Sequence, residues 1–194
     1  MLLGRRFLLS LSAAGATLTT LLPARQGIAR GVQAIPVAEG LGKLSRSSPK
    51  ALPAFTFTDA EGAEKTVADF AGHPLLINLW ATWCPPCVAE MPALDRAQAA
   101  LAGAGWKVLA LSSDRAGKPV VEAFFARAEV KNLGVWLDPR GAAARALGAR
   151  GLPTSVIVNR QGQEVARLEG AAAWDDPAML SVLRDLAGPE TSAT

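Results

Sequence analysis

The sequence predicts an α/β fold with a central mixed β-sheet flanked by helices. Three short runs are almost continuously apolar, as is typical of strands buried on both faces of a sheet. These runs are Leu75–Trp80, Trp106–Leu111 and Ser155–Val158. Segments of helical composition separate them, and strands that alternate with helices form parallel βαβ units. After the last run, the turn Asn159–Gly162 leads into Gln163–Leu168, which we expect to return antiparallel.

The other elements fit around this sheet. Ahead of the first buried run, Phe55–Val67 reads as a short hairpin around the turn Asp59–Gly62. A short strand is expected at Val135–Leu137. The predicted helices are Pro85–Ala102, Pro119–Ala128, Ala142–Leu147 and Pro177–Leu186.

Length, cysteine content and charge restrict the class of protein. The 194 residues accommodate one domain and some additional chain. Two cysteines exclude a disulfide-stapled scaffold, and two cysteines with one histidine cannot supply the four ligands of a zinc finger. Residues 1–50 carry seven basic residues and one acidic residue, whereas residues 51–194 carry 13 basic and 16 acidic residues. The basic balance therefore belongs to the N-terminal region, and no nucleic-acid partner is expected.

The N-terminal region resembles an export signal. Arg5 and Arg6 precede the apolar run Phe7–Leu22, which is shorter than the about 20 residues of a membrane span. The arginine pair also fits the twin-arginine pattern, so the export route stays open. We expect residues 1–34 to be a cleaved export signal or an uncleaved N-terminal membrane anchor, which places the protein in the periplasm.

The rest of the chain divides into three parts. Residues 35–50 are rich in glycine and serine and are expected to form a flexible linker. Residues 51–188 form the predicted folded domain, and residues 189–194 a short tail.

A pair of cysteines lies where the first buried strand has ended and a predicted helix begins. Cys84 and Cys87 are separated by Pro85 and Pro86. The N-terminus of a helix favours negative charge, which promotes the reactive thiolate. With two intervening residues, one thiol can attack a substrate disulfide and the other can resolve the mixed disulfide. We therefore expect Cys84 to be the nucleophile and Cys87 the resolving thiol, in a reaction that needs no bound cofactor.

Other uses of the cysteine pair fit less well. A zinc site lacks its second pair of ligands, and a haem-attachment site requires histidine where this chain has Val88. The single histidine, His73, lies in a Gly-His-Pro turn and is expected at the surface. No metal site is predicted.

The motifs around the cysteines resemble the TlpA/ResA branch of membrane-associated bacterial thioredoxin-like proteins, and TlpA more closely. The matching segments are Ile77–Cys87, Glu90–Leu94, Gly151–Val158 and Gly170–Trp174. The resemblance covers about residues 51–188. It implies a thioredoxin fold with an N-terminal β-hairpin and a central βα insertion, and the activity of a thiol:disulfide oxidoreductase.

The resemblance also implies how substrates are bound. The peptide bond before Pro153 should be cis, a geometry that is essentially confined to proline. The expected substrate-binding residues are Trp83, Pro85, Pro86, Leu152 and Pro153. Trp80, on the buried strand, is expected in the core instead.

Glu90 is the expected proton carrier. Cytosolic thioredoxins have a buried aspartate where this chain has Asn78, which cannot ionise. Glu90 lies three residues after Cys87, on the same face of the helix, and ResA-like proteins have an acid there. If Glu90 lies beneath the site, burial should raise its pKa towards neutrality. A glutamate that faces solvent is the alternative.

The function expected from these features is that of a periplasmic reductase. Pro85 and Pro86 offer no N–H to the Cys84 thiolate, and a less stabilised dithiol is a stronger reductant. The resemblance implies a membrane electron donor of the DsbD/CcdA type. The implied client proteins carry cysteine pairs and serve respiratory-complex assembly, either as cytochrome oxidase copper-site proteins or as apocytochrome c.

Two alternatives stay open. One is a disulfide-forming oxidant, although such proteins usually carry a helical insertion and a histidine between the cysteines. The other is a non-catalytic copper(I) carrier, because thiolates are soft ligands that suit this ion.

Overall fold

A computed structural model describes residues 37–189, so the predicted export signal, residues 35 and 36, and all but the first residue of the tail lie outside the described part. The helices are α1 (Val37–Lys43), α2 (Pro85–Leu101), α3 (Lys118–Arg127), α4 (Ala142–Ala146) and α5 (Pro177–Leu186). The strands are β1 (Ser45–Ala51), β2 (Phe57–Thr58), β3 (Glu64–Lys65), β4 (Leu75–Trp80), β5 (Lys107–Ser112), β6 (Trp136–Leu137), β7 (Thr154–Val158) and β8 (Gln163–Glu169). Two 3₁₀ turns, Val67–Phe70 and Ala102–Ala104, complete the described elements.

The described strands form one mixed sheet in the order β1-β8-β7-β4-β5-β6-β2-β3. Strands β4, β5 and β6 run parallel, and β7 and β8 pair antiparallel beside β4. The hairpin β2–β3 joins the far side through an antiparallel pairing of β2 with β6. The predicted α/β fold is therefore confirmed, with β6 and α4 inserted between α3 and β7. The hairpin strands are shorter than predicted.

Strand β4 is buried on both faces, as its apolar run predicts. Leu76 and Trp80 pack into one hydrophobic core with α2, whereas Leu75, Ile77 and Leu79 pack into a second core on the opposite face. Side chains alternate along a strand. Asn78 therefore shares the face of Leu76 and Trp80 and points towards α2, which brings a polar group under the cysteine-bearing helix.

The expectation of a flexible linker at residues 35–50 is wrong for the described residues. Residues 37–43 form α1, and residues 45–51 form β1, which pairs antiparallel with β8. Every side chain of β1 is exposed, so the strand is joined to the sheet by its main chain and shows no apolar alternation in the sequence. The ion pair between Lys50 Nζ and Glu164, at 3.3 Å, adds to this attachment.

Helix α1 packs closely on the loop after β8 through Gly40 and Ala172. Gly40 is buried, and a Cβ atom placed there would lie 3.0 Å from Cβ of Ala172. Gly42, two residues later, has no atom within 4 Å of the corresponding position.

Among the residues that the structure describes, no helix combines the length and the hydropathy that crossing a membrane requires.

The attachment of α1 can be tested with two matched substitutions. Gly40→Val should lower the free energy of unfolding by about 1–3 kcal/mol relative to Gly42→Val, because only the first forces a side chain into a packed contact. Both variants change helix propensity equally, so the difference reports packing. Urea denaturation of both proteins measures it, and equal stabilities would show that α1 is not packed on the domain.

Candidate active site

The two cysteines lie at the start of α2, just beyond the carboxyl end of β4. Cys84 is the N-cap residue, and Pro85 and Pro86 occupy the first two helical positions. Cys84 and Cys87 form a disulfide. The main-chain N–H of Cys87 donates to Sγ of Cys84 at 3.4 Å. Cys87 is fully buried and Cys84 is 5% exposed, so Cys84 is the more accessible of the two sulfur-bearing residues.

A buried aspartate fixes the loop that leads from β4 to Cys84. Asp114 accepts hydrogen bonds from the main-chain N–H and the hydroxyl of Thr82, at 2.8 and 2.6 Å. The Ser112 hydroxyl donates to the same carboxylate at 2.8 Å. Asp114 was not among the residues predicted from the sequence. The available signal was its position two residues after the buried strand β5, at the sheet edge where active sites of open α/β sheets lie.

The rim of the site carries one exposed aromatic side chain. Trp83 is 67% exposed, whereas Trp80 is fully buried, donates to the Ala110 carbonyl at 3.2 Å and stacks on Phe125. Both predicted placements are confirmed. Pro85 and Pro86 are also exposed beside Trp83.

The loop before β7 completes the rim. The Leu152–Pro153 peptide bond is cis, as predicted. Thr154 pairs with Leu79 in the sheet, so Pro153 lies next to the end of β4, where the chain turns towards Cys84. The Pro153 carbonyl accepts from the Gly170 N–H at 2.9 Å. Within residues 37–189, no hydrogen bond involves the main chain of Leu152.

Glu90 is fully buried beneath the cysteines, one helical turn after Cys87. Its Oε1 accepts from Asn78 Nδ2 at 2.8 Å. Its Oε2 accepts from the Ala172 N–H at 3.0 Å and from Trp174 Nε1 at 2.8 Å. The alternative of a solvent-facing glutamate is therefore excluded, and the carboxyl group connects α2, β4 and the loop after β8.

Burial controls the protonation of this carboxyl group. Loss of solvation raises the pKa of Glu90 to about 7, because the charged form is disfavoured away from water. The hydrogen bonds from Ala172, Trp174 and Asn78 oppose this rise, since each favours the carboxylate. The expected rise towards neutrality is confirmed, and Glu90 can take up or release a proton near pH 7.

Asn78 provides for both protonation states of Glu90. Its Nδ2 donates to the Glu90 carboxylate and to the Ser155 hydroxyl at 2.9 Å, while its Oδ1 has no partner among the described residues. When Glu90 is protonated, rotation of the amide by 180° would present Oδ1 to the carboxylic O–H. The Ser155 hydroxyl can then donate instead of accept.

The single histidine lies away from the cysteines. His73 is exposed, as predicted, and its Nδ1 is 2.7 Å from the Gly105 carbonyl. It precedes β4 and is therefore at the opposite end of that strand from the cysteines. Within the part of the chain that the structure describes, no three histidine, cysteine, aspartate or glutamate residues form a group that could hold a metal ion.

Fold and site together define a thiol:disulfide oxidoreductase of the thioredoxin type. Residues 47–183 match the family model described as Redoxin, so the chain belongs to the Redoxin family. Within it the chain is a TlpA/ResA-like thioredoxin-family oxidoreductase. The stronger likeness to TlpA than to ResA stays a prediction.

Individual relatives agree with this assignment. The chain is 31% identical over 121 residues to the thiol-disulfide oxidoreductase ResA of Bacillus thuringiensis subsp. konkukian, covering 62% of this chain and 69% of that protein. A candidate thiol:disulfide interchange protein DsbE from Chlorobium tepidum is 26% identical, with a TM-score of 0.64 over 74% of this chain and all of the other. The exposed lipoprotein thioredoxin Etrx1 of Streptococcus pneumoniae is 25% identical, with a TM-score of 0.57 over 68% of this chain and 98% of the other.

The raised pKa of Glu90 predicts a pH-dependent stability. The folded protein holds the Glu90 proton up to about pH 7, whereas the unfolded chain releases it near the ordinary glutamate pKa of 4.5. The stabilisation is therefore complete below that lower value and is lost as the pH rises to about 7. We expect the free energy of unfolding to fall on the order of 3 kcal/mol across this interval.

Urea denaturation of the oxidised protein between pH 5 and 8 measures this loss. Glu90→Gln should abolish it, because the amide does not titrate, whereas Glu61→Gln at an exposed site should retain it. Wild-type and Glu90→Gln proteins with the same pH dependence would contradict the assignment.

Proposed function

We propose that this chain is a periplasmic reductase of cysteine pairs in proteins of respiratory-complex assembly. The observation that carries the proposal is a cysteine pair at a helix N-terminus with prolines in the first two helical positions, above a buried glutamate whose pKa is about 7. In this proposal, the cysteine pair supplies the electrons and the buried glutamate accepts the proton.

The two prolines favour the reducing direction. An N-cap side chain accepts hydrogen bonds from the N–H groups at the second and third helical positions. Pro86 occupies the second position and has no N–H, so only Cys87 donates to the Cys84 sulfur. A Cys84 thiolate with one main-chain donor is less stabilised, and a less stable reduced form gives up electrons more readily.

The proposed reaction begins with the Cys84 thiolate. It attacks one sulfur of a client disulfide, forms a mixed disulfide and expels the other client sulfur as a thiolate. Cys87 then transfers its proton to the Glu90 carboxylate and attacks Sγ of Cys84. The second client sulfur leaves as a thiolate, and both client thiolates take up protons. The client disulfide is thereby reduced to two thiols, and Cys84 and Cys87 are oxidised to a disulfide.

The rim supplies the proposed client contacts. The exposed indole of Trp83 and the rings of Pro85 and Pro86 form an apolar surface beside Cys84. On the other side, the main chain of Leu152 is available to pair with an extended client segment, next to Pro153.

The proposed cellular setting is supported by the predicted export signal or anchor and by the family. An export signal or anchor at residues 1–34 would bring the domain to the periplasm, beyond the reach of cytosolic thioredoxin. We propose that a membrane protein of the DsbD/CcdA type supplies electrons to the oxidised pair. The proposed clients are cytochrome oxidase copper-site proteins or apocytochrome c.

Trapping of the mixed disulfide tests this proposal. A reduced Cys87→Ser variant should accumulate a one-to-one disulfide adduct through Cys84 with an oxidised copper-site domain or an oxidised apocytochrome c, because the resolving thiol is missing. The Cys84→Ser variant is the control and should form none. Mass spectrometry of the non-reduced adduct identifies the linked cysteines.

Two results would contradict the proposal. One is that the Cys87→Ser variant forms an adduct with neither client. The other is reactivity in the opposite direction alone, in which the oxidised wild-type protein introduces disulfides into reduced clients.

A further inference from the structure

The loop between β8 and α5 contacts the carboxyl group of Glu90. It contains Gly170–Trp174, one of the segments that resemble the TlpA/ResA branch. Two hydrogen-bond donors from this loop, the Ala172 N–H and Trp174 Nε1, converge on the same oxygen, Oε2 of Glu90. The side chain of Trp174 is fully buried.

Trp174 differs in this respect from the other two fully buried tryptophans of the described chain. Trp80 donates its N–H to a main-chain carbonyl, that of Ala110. Trp106 Nε1 has no partner among the described residues. Trp174 alone of the three directs its N–H at an ionisable group, which is the carboxyl group beneath the cysteine pair.

We propose that Trp174 is a positioning residue that holds the Glu90 carboxyl group under Cys87 and biases it towards the carboxylate form. The inference rests on the proposed function, in which that carboxylate receives the Cys87 proton. An N–H donor stabilises the charged oxygen more than the neutral one. Without the indole N–H, the carboxylate form loses one of its stabilising donors, so Glu90 retains its proton to higher pH.

Few groups other than the Trp174 indole N–H act on the carboxyl group of Glu90. Burial raises the pKa of Glu90, and the neutral donors of Ala172, Trp174 and Asn78 oppose this rise. Among the described residues, no charged group adds to these effects. Strand β4 and strand β7 present the uncharged Asn78 and Ser155. Cys87 of α2 is held in the disulfide, so Asp95 is the other buried ionisable side chain of this helix.

Apart from Glu90, the charged side chains that the structure describes on α1, α2 and α5 are engaged or exposed. Asp95 accepts main-chain hydrogen bonds from Lys131 and Asn132, on a different loop. Arg96 of α2 pairs with Asp175 at 2.6 Å. The side chains of Lys43, on α1, and Arg184, on α5, are exposed, and Asp176 caps α5.

The test compares two substitutions of the same kind. Trp174→Phe removes the N–H and keeps an aromatic ring in the core. Trp106→Phe makes the same change at a tryptophan whose indole N–H has no partner among the described residues. In oxidised protein labelled with ¹³C at the glutamate carboxyl, the NMR titration midpoint of Glu90 should rise by about one pH unit in Trp174→Phe. In Trp106→Phe it should stay at the wild-type position.

A second readout connects the carboxyl group to the reaction. The pH at which client-disulfide reduction reaches half its maximum should rise in Trp174→Phe by the same amount as the NMR midpoint. An unchanged NMR midpoint would overturn the proposal, and so would a shifted midpoint with an unmoved pH profile of reduction. If the wild-type protein reduces no client, the proposed function fails, while the NMR titration still decides whether Trp174 controls Glu90.

A shape-preserving variant keeps the test decisive if Trp174→Phe does not fold. Benzothienylalanine at position 174 retains the bicyclic ring and replaces the N–H with sulfur, which donates no hydrogen bond. The same upward shift of the Glu90 midpoint is expected, and a wild-type midpoint in this folded variant would overturn the proposal.

Discussion

The buried carboxyl group of Glu90 is the constraint around which the site is arranged. An ionisable group removed from water is costly unless its polar atoms have partners. Asn78, Ala172 and Trp174 provide these partners from β4 and from the loop that follows β8. The same contacts fix α2 against the sheet, so the group expected to handle the proton also sets the position of the helix that carries the cysteines.

The two ends of the cysteine motif face different environments. Trp83 and the two prolines lie at the surface, where a client can reach them, whereas Cys87 and Glu90 are fully buried. In the proposed reaction, electron transfer to a client would take place at the surface, and proton transfer to Glu90 would take place one turn of helix further inside. Asp114 holds the loop before Cys84 through its two hydrogen bonds with Thr82.

The elements with a strong apolar signal were predictable, and those held by polar or main-chain contacts were not. Strand β4 has the predicted boundaries because all six of its residues are buried. Helix α5 has them because Met179 and Leu183 are buried at helical spacing and because Asp176 and Pro177 mark its start. Strand β1 was missed because none of its side chains is buried. Glu90 was selected from its spacing after Cys87 together with the acid that ResA-like proteins have at this position. Its partners in the loop after β8 are 82 and 84 residues away, and local spacing carries no information at that distance.

The reduction potential of the Cys84–Cys87 couple tests the central claim most directly. Equilibration of residues 37–194 in glutathione or dithiothreitol buffers at pH 7, followed by thiol trapping, measures it. A reductase with a proline-flanked N-cap thiol should have a potential near or below that of thioredoxin, about −270 mV. A value near that of DsbA, about −120 mV, would contradict the account and identify a disulfide donor.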